Sequence, residues 1–133
     1  LDSMAFEWQL KEIELTEKYD LENYNISQTY SQISSYYINT DQPEKALEAL
    51  KKADATAYSP TQKISVQLEY VNYYSKFGDM QAAEKILNEC KTAFDQDKRL
   101  WSIKNRIRLL SAIQAIPKGT GSCQETGSGG IKP

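Results

Sequence analysis

A chain of 133 residues with a net charge of -2, no histidine and two cysteines is long enough for one domain with a buried core. The near-neutral balance argues against a surface built for nucleic acid or for an anionic membrane, both of which favour a basic excess. Without histidine, the Ser-His-Asp and Cys-His nucleophile systems and the commonest transition-metal ligand are all excluded.

Residues 4–18 carry Phe6, Leu10 and Ile13 at helical spacing, with Glu7, Glu12, Glu14 and Glu17 making the helix acidic. Acid–base or hard-metal chemistry from those glutamates needs a cleft to shift their pKa values. A solvated helix face is the simpler reading, and no metal site is expected. Tyr30, Ile33 and Tyr37 then fall on one face of a second helix that should stop near Asn39-Thr40-Asp41. Pro43 suits the first turn of a third helix, which packs Ala46, Leu47, Leu50 and Ala53. Ser59-Pro60 opens a fourth helix, running to about Phe77 with Tyr70, Val71 and Tyr74 on one face. Gly78 is placed to end that helix and Asp79 to cap a fifth, which packs Ala82, Ala83, Ile86, Leu87, Cys90 and Phe94.

A last helix is expected over 98–116, with Leu100, Ile103, Ile107 and Leu110 inward. From Lys98 to Arg108 it carries Lys98, Arg99, Lys104, Arg106 and Arg108 and no acid, so a basic contact surface for an acidic partner is one reading and a packed helix with a basic outer side the other. After Pro117 the chain turns Gly/Ser/Thr-rich, and 117–133 reads as a flexible tail or linker that cannot offset the entropy of ordering. No run approaches the ~18 apolar residues of a membrane span. Cys90 in a helical pattern and Cys123 in the tail do not resemble a disulfide framework, which fits a cytoplasmic location.

The pattern repeats at an offset of 37 residues. Tyr36-Tyr37 falls on Tyr73-Tyr74, Ala46 on Ala83, Leu50 on Leu87, Ala53 on Cys90 and Asp41 on Gly78. Here the residues resemble the tetratricopeptide repeat family, whose units follow aromatic, large apolar, small and Tyr with Gly, Ala, large apolar and Ala. Those places hold Tyr30, Ile33, Ser34, Tyr37, Asp41, Ala46, Leu50 and Ala53 in one unit, and Gln67, Tyr70, Val71, Tyr74, Gly78, Ala83, Leu87 and Cys90 in the next. Gln67, Val71 and Asp41 depart from the pattern, and the family's period is 34. The resemblance implies an all-α fold over 1–116, an α-solenoid of antiparallel helix pairs in a TPR-like superhelix. Its units would span about 24–58 and 61–95, with flanking helices at about 4–18 and 98–116 that cut through further units, as in a piece of a longer solenoid.

In that family the first helices of successive units line a concave groove. Carried over, the positions give Gln28, Ser31, Ser35 and Asn39, then Leu68, Asn72 and Lys76, and Asn105 from the last helix. The family's carboxylate-gripping cluster is poorly matched: Ser31, Ser35 and Glu69 stand where basic or amide residues are needed, and only Arg106 fits. The function implied is a protein- or peptide-binding scaffold that is not an enzyme and needs no cofactor. The repeats also resemble those of bacterial regulatory or signalling proteins. The alternative is a self-assembly element, because solenoid ends expose apolar edges.

Overall fold

The computed structural model describes residues 3–116. They form α1 (Ser3–Tyr19), α2 (Ile26–Asn39), α3 (Pro43–Thr56), α4 (Pro60–Phe77), α5 (Met80–Gln96), a 3-10 turn (Lys98–Leu100) and α6 (Ile103–Ala115), with no strand among the described residues. The expected tail 117–133 and Cys123 lie outside them. Short links between α2 and α3 (residues 40–42) and between α4 and α5 (78–79) force each pair to run antiparallel. The array is an all-α solenoid in which each helix buries its apolar face on its neighbours.

Local chemistry places the breaks. Gly78 adopts φ 107, a left-handed conformation open to glycine without a Cβ clash. Its N–H and that of Asp79 both donate to the Tyr74 carbonyl (3.0 and 2.9 Å), and Asp79 Oδ1 accepts from the Ala82 N–H at 3.1 Å to start α5. At the matching position Asp41 takes φ 58, which Asp tolerates better than most side chains. The Asp41–Gly78 correspondence at 37 residues is therefore a real backbone equivalence. Pro43 and Pro60 both sit in the first turn of their helices, where a missing N–H costs nothing.

Two apolar clusters hold the pairs together. Ile13, Tyr30, Ile33, Ala49, Ala53, Ala57 and Val66 join α1 to α4 through the first, with Phe6, Tyr37 and Tyr70 packed against it. The second contains Ile64, Leu68 and Val71 of α4, Ala83, Leu87, Cys90 and Phe94 of α5, Leu100, and Leu109 and Ala112 of α6. Small residues at Ala46, Ala53 and Ala83, all fully buried, let helix backbones approach closely. Ser27 Oγ donates to the Ala53 carbonyl at 2.7 Å across α2 and α3. The tyrosines make a ladder of rings: Phe6 stacks on Tyr36 at 4.0 Å and meets Tyr37 edge-on, while Tyr73 packs on Tyr74 and Phe77.

The ends differ from expectation. The last helix is not continuous from 98, because Trp101 and Ser102 interrupt it. Ser102 Oγ caps α6 by accepting from the Asn105 N–H (3.1 Å), and Trp101 Nε1 donates to the Phe94 carbonyl (2.9 Å) with its ring 4.8 Å from the Phe94 ring. This cap rotates α6 so that Asn105, Leu109 and Ala112 face inward and Ile103, Ile107 and Leu110 are exposed. Of the apolar face read from the sequence, Leu100 is buried while Ile103, Ile107 and Leu110 lie outside. In α1 only Ile13 is buried; Phe6 is half-buried and Leu10 faces water.

Candidate protein-interaction groove

The first-place helices α2, α4 and α6 lie side by side and leave an open hollow of about 470 Å³ between them. A second hollow of about 460 Å³ continues from it and shares Ser35, Glu69, Asn72 and Ser111. Together they form one polar groove across the array. The floor is an ion pair, Arg108 of α6 with Glu69 of α4. Asn72 Nδ2 adds a hydrogen bond to Glu69 Oε1 at 3.3 Å. Burial pushes the Glu69 carboxyl above the ordinary carboxylate range, while the Arg108 charge and the hydrogen bonds from Asn72 and Arg108 pull it partly back.

The walls offer amides and hydroxyls. Gln28, Gln32 and Ser35 come from α2, and Lys104, Ile107 and Ser111 from α6. Gln32 is itself held, because its Oε1 accepts from Gln9 Nε2 of α1. At the far end stand Asn39, Lys76 and Gln114, with Lys76 Nζ 3.5 Å from Asp41. Such a surface can pair with the N–H and C=O groups of an extended peptide, each worth about 1 kcal/mol net.

The structure brings Gln28, Ser35, Asn39, Asn72 and Lys76 together along this groove. It removes three expected members. Leu68 is fully buried in the α4–α5 core. Ser31 is buried behind the groove, beside a small polar cavity of about 80 Å³. Asn105 is buried too: Nδ2 donates to the Leu100 carbonyl at 3.0 Å and the Thr61 carbonyl at 3.4 Å, and Oδ1 accepts from Ser65. Its role is to tie α6 to α4. The physical reason is register: α6 matches α4 at an offset of 39, not 37, so the family positions fall on its inward face.

The five basic candidates do not form one patch. Arg108 is committed to Glu69, and Arg99 on the 3-10 turn forks onto Asp97 (Nη2–Oδ2 2.8 Å), lowering the pKa of that half-buried carboxyl through hydrogen bonds. Lys104 joins the groove wall, while Lys98 and Arg106 are exposed outside it. Gln32, Ser111 and Glu69 are groove residues that the sequence reading did not select. Gln32 and Ser111 follow only once the helices are set side by side; Glu69 carries a signal, an acid on a buried helix face one repeat before Arg108.

Cys90 is a free thiol inside the second cluster, and burial pushes its pKa up to about 11. Among the described residues no helix is long and apolar enough to cross a membrane, and no three His, Cys, Asp or Glu side chains are grouped to hold a metal ion.

A family model described as 26S proteasome subunit RPN7 matches residues 1–119, and the chain belongs to that family. No curated protein and no solved structure gives a significant match. The expected bacterial regulatory parent finds no support in this match.

Proposed function

We propose that this member of the RPN7 family is a protein-binding scaffold, a tetratricopeptide-like solenoid segment that works inside a larger assembly and catalyses no reaction of its own. The observation that carries the reading is the continuous polar groove over α2, α4 and α6. Its floor is the Arg108–Glu69 ion pair, whose charges offset each other, while its walls keep Gln28, Ser35, Asn72 and Lys104 turned to the hollow. This arrangement recognises a backbone rather than a charge. The family description, a subunit of a multi-protein particle, agrees with a surface whose ligand is another protein. A cytoplasmic setting with no cofactor goes with this reading.

The test is a pair of bulky substitutions in the groove wall, Ser35→Arg with Ser111→Arg, at positions outside the buried core. Proteins captured by the parent chain and by the variant are compared by mass spectrometry, with circular dichroism to show that both are folded. Partners retained by the parent and lost by the variant support the groove, and 26S proteasome subunits are the first to look for. An identical set of partners with both proteins overturns it.

A further inference from the structure

Behind the groove, α2, α4 and the first turn of α6 enclose a smaller cavity of about 80 Å³. Five hydroxyls and three side-chain amides line it, and its charged side chains, Lys104 and Arg108, are both cationic. Gln28, Lys104 and Arg108 also line the larger hollow, so the cavity is a side chamber of the groove. On the groove floor Glu69 balances Arg108, but neither Glu69 nor any other acid lines the chamber.

Several polar groups of the chamber are already occupied. Ser27 Oγ donates to the Ala53 carbonyl, Ser65 Oγ to Asn105 Oδ1, and Gln62 is held by Tyr24 and Tyr58. Ser31 is the exception. It is 1% exposed, and its Oγ has no hydrogen-bond partner among the described residues. Folded proteins keep such a group buried where a water or an ion completes it.

The donors around Ser31 point to an anion. Ser102 Oγ accepts from the Asn105 N–H, which leaves its own proton to donate. The N–H groups of Ile103 and Lys104, at the positive end of α6, have no acceptor among the described residues. Arg108 binds Glu69 through Nη1 and retains Nη2 and Nε as donors, and Lys104 is in no ion pair among the described residues. A volume of about 80 Å³ holds roughly two to three water-sized atoms. That suits the three terminal oxygens of a phosphate monoester, with the ester oxygen left at the mouth. A carboxylate is flat, has two oxygens and would reach fewer of these donors.

We propose that the chamber binds a phosphate group, carried by a phosphorylated serine or threonine of the segment that lies in the groove. The chamber stands on its own geometry, whereas the peptide source of the phosphate rests on the groove reading above.

The experiment follows amide chemical shifts of the full 133-residue chain by NMR at constant ionic strength. Three probes are compared: inorganic phosphate, phosphoserine blocked at both ends, and the same blocked serine without phosphate. Both phosphate probes should give saturable shifts at Ser31, Ile103 and Lys104, and the unphosphorylated probe none. Ser31→Ala and Lys104→Gln should each weaken binding by about five- to tenfold. Lys104 is exposed, so its variant keeps the fold and remains a test if Ser31→Ala loses helical circular dichroism. No saturable shift with either phosphate probe overturns the proposal, as does binding of equal strength in parent and Lys104→Gln. Binding of inorganic phosphate alone also overturns it, since that is an adventitious ion only. None of these outcomes alters the partner capture by Ser35→Arg with Ser111→Arg, which tests the groove separately.

Discussion

Arg108 of α6 reaches back 39 residues to Glu69 of α4, and the pair keeps only 17% and 8% of its side-chain surface in water. Removing one partner strands a charge in a site that cannot solvate it, at a cost of about 3 kcal/mol or more. Arg108→Met should therefore lower the urea midpoint strongly. In combination with Glu69→Gln it should cost clearly less than the sum of the single changes, because no unpaired charge remains. The penalty of Arg108→Met should also shrink in acid. Burial raises the Glu69 pKa, so the folded state holds that proton more tightly than the unfolded chain. The stabilisation from binding it is fully present below the unfolded value, 4.5, and is lost as pH rises through the folded one. Denaturant curves at two pH values on either side of that range check the sign.

Asn105 is the second tie between α6 and the body. Its buried amide makes hydrogen bonds to Leu100, Thr61 and Ser65. Asn105→Ala should cost about 1 to 2 kcal/mol, since it removes the side-chain hydrogen bonds that join α6 to Thr61 and Ser65 and leaves the part-buried Ser65 hydroxyl without its acceptor. The loss should appear first as faster hydrogen exchange in α6. Equal protection in variant and parent would show that the amide does not hold the helix.

Gly78 tests the backbone argument. A Cβ there would meet nothing within 4 Å, so any penalty comes from φ 107 alone. Gly78→Ala should destabilise by about 1 kcal/mol, and Gly78→Asn by less, because Asn visits the left-handed region more readily. Thermal midpoints of the two variants decide it.

Tyr30 should be among the last tyrosines to ionise. Burial, with the Glu17 carboxylate accepting its phenol proton at 2.8 Å, raises its pKa from 10.0 to about 12. The folded state therefore holds this proton more tightly, and its contribution is complete below pH 10 and fades as pH rises towards 12. Absorbance at alkaline pH should show a late-titrating phenol that moves down in Glu17→Gln. Cys90, its thiol pKa pushed up to about 11, should stay unreactive to a thiol reagent near pH 8 until the chain unfolds.

How much of this was legible in sequence follows from the range of the forces. The helices of the two central units, the break at Gly78, the proline starts and the Ala46/Ala83 contacts are set by short-range chemistry: backbone sterics, capping and a 3.6-residue period. The 37-residue repeat carried that information between the units, and it placed Gln28, Ser35, Asn39, Asn72 and Lys76 on one surface. At the end of the array the same reasoning misplaced α6. The larger apolar stripe, Ile103–Ile107–Leu110, is the inward face that periodicity predicts, yet Ser102 and Trp101 turn the helix by its cap and Asn105 satisfies its polar groups inside. Whether a polar residue can be buried depends on carbonyls and hydroxyls up to 44 residues away in the chain, at Thr61 and Ser65. Periodicity carries no record of those partners. The sequence by itself determined the helices and their repeat; only the tertiary structure decided which faces meet, because burial and hydrogen-bond satisfaction are properties of the neighbours a residue acquires.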